Sequence, residues 1–205
     1  MKRHVARNAA IVLLLGVIAW LLYWSWDSRQ YWFLNNFRVV EPGRVYAGGY
    51  QYPTPLARVL KYYHIKTVLC LRPDGDPLDT DEQKLVAASG AEFKRVFLPP
   101  RVSMAVKLAA VEKAVAIMAD HDNQPVFLHC WGGYHRTGIV VAVYRMRHCG
   151  WDEKTAAAEL IRWGGNSHNE TWPLEVLHAF CSHASTTEDP VSILNPAEKP
   201  DRFEQ

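Results

Sequence analysis

The sequence predicts an α/β domain with a central, mostly parallel sheet of about four to five strands flanked by helices. Four short segments with strand character alternate with longer segments of helical periodicity. Glycine, proline and aspartate mark the turns between them. This alternation is typical of parallel strands joined by helices, and such sheets bind ligands at the carboxyl ends of their strands.

The strands are predicted where branched and aromatic residues form short apolar runs, two of which suit strands buried on both faces. They cover residues 44–48, 65–72, 92–99 and 126–130. The helices are predicted from apolar residues spaced three and four positions apart. They cover residues 54–64, 80–89, 104–119, 136–149, 152–163 and 171–183.

Capping residues predict where several of these helices begin and end. Thr54 is expected to cap the first helix, and Thr80 with Gln83 to form a capping box on the second. Gly90 and Gly150 are expected to end two helices, because glycine readily adopts the left-handed conformation that terminates a helix.

The chain of 205 residues has the length of one domain with terminal extensions. Its formal net charge of +2 and its lack of a basic block give no basis for nucleic-acid binding. Composition divides it into a basic N-terminal segment at 1–8, a transmembrane anchor at 9–26, a linker at 27–36, a folded domain at 37–184 and a flexible tail at 185–205.

The anchor is predicted because residues 9–26 carry no charge over 18 positions. As a helix they would span roughly 27 Å, about one bilayer core. A cleaved signal peptide would have a shorter apolar core and a small-residue cleavage site, whereas Trp24, Trp26 and Trp32 resemble an interfacial aromatic belt. Basic residues precede the segment and only Arg29 closely follows it, which places the N-terminus in the cytoplasm and the domain on the periplasmic or extracytoplasmic side.

The functional site is predicted in the segment VFLHCWGGYHRTG, residues 126–138. Cys130 ends a buried strand, and Arg136 stands where the next helix begins. Gly132 and Gly133 free the loop between them to turn its N–H groups inward. A loop of inward amides at a helix N-terminus is an anion site.

This arrangement predicts nucleophilic chemistry on a phosphate. Cys130 is expected to be a thiolate that attacks phosphorus. Arg136 is expected to bind two phosphate oxygens through its planar guanidinium, and the Thr137 hydroxyl to donate to the thiolate as it leaves. The phosphate cradle is predicted to consist of Trp131, Gly132, Gly133, Tyr134, His135 and Arg136.

Zinc binding and a structural cysteine are the alternatives for this segment. His129, Cys130 and His135 could bind zinc together with His121, but paired ligands such as C-x-x-C are absent. A structural cysteine would leave the glycines, the arginine and the helix start unexplained. His129 is expected to orient its neighbours, and His135 either to add charge to the loop or to form hydrogen bonds beneath it. No metal or cofactor is expected.

The residues His129-Cys130, Gly133 and Arg136-Thr137-Gly138 resemble the signature loop of the cysteine-based protein tyrosine phosphatase superfamily. With His135, the pattern resembles the atypical dual-specificity phosphatases of the plant and fungal type. The similarity covers much of residues 37–163. It implies a metal-free phosphatase with a phosphocysteine intermediate, acting on phosphotyrosine, phosphoserine or phosphothreonine, or on a small or lipid phosphate. A phosphate-binding pseudophosphatase and a membrane-tethered scaffold are the alternatives.

The chain departs from the family pattern at several positions. Ala47 and Gly48 stand where the family usually has Arg-Ser. Gly132 and Tyr134 replace basic loop residues, and Trp131 replaces a polar one. Some members cleave inositol pyrophosphates, and the loss of cations is expected to weaken that preference. The aromatic residues suit a phosphotyrosine ring or a lipid phosphate.

Two roles stay open in the sequence. The superfamily commonly places an acidic catalyst in a loop that here reads LPPRVSM, residues 98–104, without an acid. Asp74 and Asp76 are the remaining candidates. Some relatives form a reversible disulfide between the nucleophile and a cysteine on the neighbouring strand, a role that the resemblance suggests for Cys70.

Overall fold

The computed structural model describes residues 11–22, 33–75, 78–166 and 170–187. The strands are β1 Arg38–Glu41, β2 Val45–Gly48, β3 Thr67–Cys70, β4 Glu92–Arg95 and β5 Val126–His129. They form one sheet with the order β1-β2-β5-β3-β4. The pair β1–β2 is antiparallel and the other three pairs are parallel, so the predicted fold class is confirmed as a mixed five-stranded sheet.

Helices flank this sheet, and most predicted helix positions are confirmed to within a few residues. The helices in the described residues are α1 at 11–22, α2 Pro53–Tyr62, α3 Asp79–Ala88, α4 Met104–Ala119, α5 His135–His148, α6 Glu153–Arg162 and α7 Trp172–Thr187. A short 3-10 turn, His121–Asn123, precedes β5. The last helix continues two residues past the predicted start of the tail at 185, and residues from 188 onward lie outside the described part of the chain.

The edge strand β1 is absent from the sequence prediction. It forms a hairpin with β2 through a turn in which Gly43 has a φ of 77°. Arg38 stands directly across from Ala47 in this pair. The strand is only four residues long, and the apolar alternation within it is too short to stand out from the aromatic segment before it.

The predicted side-chain caps are wrong. Thr54 lies inside α2, which begins at Pro53 with Tyr52 as its N-cap, and the side chain of Tyr52 makes no capping hydrogen bond. The earlier of two nearby prolines starts the helix, because proline lacks an N–H and its φ is already suited to the first turn. Thr80 likewise lies inside α3, whose N-cap is Leu78.

The central strand β5 is buried on both faces and thereby fixes the loop that follows it. Phe127 packs with the cluster beneath α2, which includes Leu56. Leu128 faces the larger cluster beneath α4 and α5, which includes Val111 and Ile139. Burying each such side chain stabilises the fold by about 1.5–3 kcal/mol. The strand end at His129 is therefore held from both sides.

The N-terminal helix α1 carries apolar side chains that are exposed, with Val12 and Leu13 each 70 % exposed. Within the described segments, none of the helices has both the length and the apolar character required to span a bilayer. The anchor predicted at 9–26 extends beyond the described residues at both of its ends.

Candidate active site

The loop between β5 and α5 brings Cys130 to the carboxyl end of the central strand. Cys130 is only 5 % exposed. Gly133 adopts a φ of 81°, a left-handed conformation, and its N–H donates a hydrogen bond to the Cys130 Sγ over 3.3 Å. The sequence-based expectation of an inward amide is thus seen directly at Gly133.

Both loop glycines lie where a side chain would collide. A Cβ on Gly133 would stand 2.4 Å from backbone atoms of Gly48 and Gly49, at the end of β2. A Cβ on Gly132 would stand 2.2 Å from the ring of Tyr134. The loop therefore packs directly on the backbone of the neighbouring strand, and glycine is required for this approach.

Arg136 lies in the first turn of α5 and shares a cavity of about 330 Å³ with Cys130. Its guanidinium carbon is 5.8 Å from the centre of the Phe97 ring, and within the described residues no carboxylate pairs with it. The cavity is lined by Pro100, Cys130, Trp131, Gly132, Tyr134, His135, Arg136, Glu170 and Trp172. Cysteine and arginine thus meet at one cavity, as the spacing of the motif predicts.

The N-terminal end of the folded domain supports this loop from outside. Asn35, Asn36 and Arg38 each donate a side-chain hydrogen bond to a loop carbonyl. Sequence reasoning placed the first two of these in a linker and assigned no role to the third. Their partners are almost a hundred positions away, so no local pattern could have indicated the contacts.

A family model described as the tyrosine phosphatase family matches residues 33–192. The chain belongs to the tyrosine phosphatase family. The resemblance seen in the loop motif, to an atypical dual-specificity phosphatase with a catalytic cysteine, is confirmed. The family match begins two residues before Asn35, so it includes the residues that support the loop.

Several relatives of this tyrosine phosphatase family member have curated descriptions. Inositol diphosphatase DSP1 of Oryza sativa subsp. japonica is 30 % identical over 112 residues, which cover 54 % of this chain and 49 % of that protein. Dual specificity protein phosphatase TpbA of Pseudomonas aeruginosa is 27 % identical over 106 residues, covering 52 % and 45 %. The chain thus spans about half the length of the curated relatives it matches.

Solved structures of the family share this fold. The core catalytic domain of the PP-IP phosphatase SIW14 from S. cerevisiae superposes with a TM-score of 0.62 at 19 % identity, covering 74 % of this chain and 91 % of that chain. The structure of TpbA from P. aeruginosa superposes with a TM-score of 0.52 at 20 % identity, covering 73 % and 90 %. At this identity the likeness shows the fold alone.

Thr137 lies in the first turn of α5 and is fully buried. Its hydroxyl donates a hydrogen bond to the Gly48 carbonyl over 3.2 Å, not to Cys130. A hydroxyl carries one hydrogen, so it cannot donate to the Cys130 thiolate at the same time. In this structure Thr137 therefore ties α5 to β2. Its role with the leaving thiolate stays a prediction and would require the bond to Gly48 to break.

The histidine of the family motif faces a buried ionic cluster behind the loop. His129 is fully buried, and its Nε2 lies 3.0 Å from a carboxylate oxygen of Glu82, which also pairs with Arg72 over 2.6 Å. Burial opposes a charge on the imidazole, but Glu82 and Cys70 outweigh it and raise the pKa of His129 well above its usual value. The imidazolium is thus held by an ion pair behind the loop, and the orienting role expected for His129 stays a prediction.

Among the described residues, one cluster has side chains of the types that bind metal ions. It consists of Cys70, Glu82 and His129, whose possible ligand atoms lie within 4.8 Å of one another. Two guanidinium groups already contact it. Arg72 pairs with Glu82, and Arg95 Nη1 stands 3.6 Å from the Cys70 Sγ. A divalent cation would add like charge to these two, so the cluster suits an ion-pair network better than a metal.

The residues of the alternative zinc site considered from the sequence do not come together in the structure. His121 lies in the 3-10 turn before β5, whereas Cys130 follows the opposite end of that strand. The His129 ring nitrogen Nε2 faces Glu82 rather than the catalytic cavity.

Two aromatic side chains form part of the cavity wall. Trp131 is 45 % exposed, and its ring lies 4.6 Å from the guanidinium carbon of Arg72. Tyr50 packs on the same guanidinium at 4.7 Å, and the centres of the Tyr50 and Trp131 rings are 5.6 Å apart, so two neighbouring rings contact the buried arginine. Tyr134 contacts the His135 ring edge-on at 4.8 Å. These contacts hold the rings of Trp131 and Tyr134.

Of the two predicted acid candidates, Asp74 is not among the described residues that line the cavity. The side chain of Asp74 is 90 % exposed and 3.9 Å from Arg95, and Asp76 lies outside the described residues. The cavity is instead lined by a carboxylate that sequence reasoning missed, Glu170, which stands before α7. Because it is distant from the motif in the chain, only the packing of α7 against α4 and α5 reveals it.

Proposed function

We propose that this chain is a cysteine-dependent phosphatase that hydrolyses phosphomonoesters through a phosphocysteine intermediate. The observation that carries the proposal is the meeting of Cys130 and Arg136 at one cavity, with the N–H of Gly133 donating to the Cys130 Sγ. The thiolate attacks phosphorus in line with the leaving oxygen, whose bond to phosphorus breaks. Water then attacks the phosphocysteine and releases inorganic phosphate and the thiolate.

Arg136 and the loop amides perform the electrostatic part of this reaction. Their donors face the phosphate oxygens, on which negative charge spreads in the transition state. Because Arg136 is not engaged by a described carboxylate, it can bind two of these oxygens without first breaking an ion pair.

The cavity favours a single phosphate attached to an aromatic or other apolar group. Among the described lining residues Arg136 is the only arginine or lysine, while Trp131, Tyr134 and Trp172 are aromatic. An inositol pyrophosphate brings several phosphates, and each needs compensating positive charge. Phosphotyrosine, or a lipid phosphate, needs one cation and an apolar wall. Relatives include both an inositol diphosphatase and a dual specificity protein phosphatase, so relatedness alone does not choose between these substrates.

Glu170 is the residue that we assign as the proton donor to the leaving group. It is the only carboxylate among the described residues that line the cavity. A tyrosine leaves as a phenolate with a pKa of about 10 and gains from protonation. This assignment fills the role left open by the loop at 98–104.

Turnover of an aryl phosphate by the full chain tests the proposal. Cys130→Ser is expected to lower kcat by about a thousandfold or more, since no thiolate remains. Glu170→Gln is expected to lower kcat on a phosphotyrosine peptide about a hundredfold, and much less on an aryl phosphate with a more acidic phenol. Glu175→Gln is the matched control, because Glu175 lies in the first turn of α7, shortly after Glu170, and is not among the described residues that line the cavity.

The outcomes separate the alternatives. Binding of phosphate or vanadate without turnover would indicate a pseudophosphatase, and neither binding nor turnover would indicate a scaffold. Inositol pyrophosphate hydrolysed far faster than a phosphotyrosine peptide would refute the assigned substrate class while leaving the cysteine chemistry standing.

We also propose that residues 9–26 anchor the chain in a membrane, with the N-terminus in the cytoplasm and the catalytic domain on the other side. The uncharged stretch and the exposed apolar side chains of α1 support this. A reporter that is active only outside the cytoplasm is expected to give signal when it is fused after Gln205. If a reporter that is active only inside the cytoplasm gives signal from the same position instead, the proposed orientation is wrong.

A further inference from the structure

Three side chains from one short N-terminal stretch hold three consecutive carbonyl groups of the catalytic loop. Asn35, Asn36 and Arg38, here called the carbonyl clamp, each donate one hydrogen bond to this backbone. The donor–acceptor distances are 3.2 Å from Asn35 Nδ2 to the Trp131 oxygen, 2.6 Å from Asn36 Nδ2 to the Gly132 oxygen and 2.9 Å from Arg38 Nη1 to the Gly133 oxygen.

The direction of each carbonyl determines the direction of the next N–H. In a trans peptide unit the C=O and the N–H point in opposite directions because the unit is planar. Holding the Gly132 carbonyl outward therefore turns the N–H of Gly133 inward, where it donates to the Cys130 Sγ. In the same way, the clamped carbonyls of Trp131 and Gly133 orient the N–H groups of Gly132 and Tyr134.

Arg38 adds a charge behind the loop. It is 7 % exposed, and its guanidinium carbon lies 4.8 Å from the centre of the Trp163 ring. Burial lowers the pKa of Arg38 to about 10, while Glu159 and Cys130 act in the opposite direction, so the guanidinium stays protonated at neutral pH. A positive charge is thus bonded to the same residue, Gly133, that donates to the nucleophile.

We propose that the carbonyl clamp positions the catalytic loop: it keeps the loop N–H groups turned towards Cys130 and a bound phosphate, and the charge of Arg38 stabilises the thiolate. The phosphate part rests on the proposed phosphatase function, whereas the thiolate part can be measured without turnover. The last residues of the segment predicted as a linker, 27–36, therefore act on the active site.

Two substitutions in the full chain test the clamp, and a third is the control. Asn36 has a φ of 47°, and Asn36→Asp keeps the size of the side chain at this position. It replaces the amide donor with a carboxylate oxygen that repels the Gly132 carbonyl. Arg38→Met removes the donor and the charge. Arg145→Met is matched to it, because Arg145 also stacks on a tryptophan and donates to a carbonyl, that of Val40 over 2.6 Å, yet does not touch the loop.

The readout is the rate of Cys130 alkylation by iodoacetamide at pH 7, followed by mass spectrometry, with and without inorganic phosphate. Arg38→Met is expected to slow this alkylation about tenfold, because the thiolate loses a nearby positive charge. Asn36→Asp is expected to weaken protection by phosphate about tenfold. Arg145→Met is expected to lower the melting temperature but to change neither quantity.

The proposal is overturned if folded Arg38→Met keeps the wild-type alkylation rate and folded Asn36→Asp keeps the wild-type protection by phosphate. If Arg38→Met does not fold, Arg38→Lys replaces it: the lysine keeps the charge, so its alkylation rate should stay near wild type while phosphate protection falls. If the wild-type chain shows no turnover but Arg38→Met still slows alkylation, the phosphatase function is refuted and the clamp is not.

Discussion

The substitution Gly133→Ala tests the loop at the point where its backbone is most constrained. Gly133 has a φ of 81°, donates its N–H to Cys130 and accepts from Arg38. Gly90 has the same φ of 81° at the end of α3, but a Cβ there would meet nothing within 4 Å. Gly90→Ala therefore measures the cost of the left-handed conformation alone.

The structure gives the size of both effects. An alanine in the left-handed region costs about 1–2 kcal/mol of stability, and this applies to both positions. At Gly133 the new Cβ also stands 2.4 Å from the backbone of Gly48 and Gly49, so the loop has to move by about 1 Å to restore ordinary contact. A displacement of about 1 Å at a reacting group can lower the rate about a hundredfold, or about 2.7 kcal/mol in the barrier.

The assay compares kcat on an aryl phosphate with the melting temperature of each variant. Gly90→Ala is expected to lower the melting temperature and leave kcat unchanged. Gly133→Ala is expected to lower the melting temperature further and kcat about a hundredfold. The reasoning would be refuted by a Gly133→Ala variant with kcat within about threefold of wild type, or by an equal loss of kcat in Gly90→Ala.

Three further predictions concern the loop and the buried groups behind it. Glu82→Gln is expected to cost about 3–5 kcal/mol of unfolding free energy because it breaks a buried pair, whereas Glu112→Gln, in an exposed pair, is expected to cost less than about 1 kcal/mol. Because the pKa of His129 is raised in the folded state, protonation of His129 stabilises the fold fully below about pH 6.5, and this stabilisation is lost as the pH rises through the folded-state pKa. Urea titrations at several pH values should show that the unfolding free energy declines with pH in the wild type and not in Glu82→Gln. Equal slopes of unfolding free energy against pH in the two proteins would contradict this prediction. Mild peroxide is expected to oxidise Cys70 and Cys130 to a disulfide. Mass spectrometry should find the disulfide-linked peptide in the wild type and not in Cys70→Ser. Its absence from the wild type would reject the bridge.

Local patterns predicted the parts of this protein that local interactions specify. The strand, the glycine-containing loop and the helix start around Cys130 are consecutive in the chain, so VFLHCWGGYHRTG was sufficient to predict that Cys130 and Arg136 meet at one cavity. The helices were found because their apolar faces repeat along the chain. Their caps were mispredicted at Thr54 and Thr80, because several residues near a helix start can begin it and packing chooses among them.

Contacts between distant segments were decided by the tertiary structure alone. Asn36 and Gly132 are 96 positions apart, Glu82 in α3 reaches His129 in β5, and Glu170 joins the cavity from just before α7. A hydrogen bond of this kind depends on how two elements pack, and neither partner leaves a repeating pattern in its own segment. The sequence by itself therefore determined the fold class and the cysteine–arginine loop, while the tertiary structure decided which groups hold that loop and which carboxylate lines the cavity.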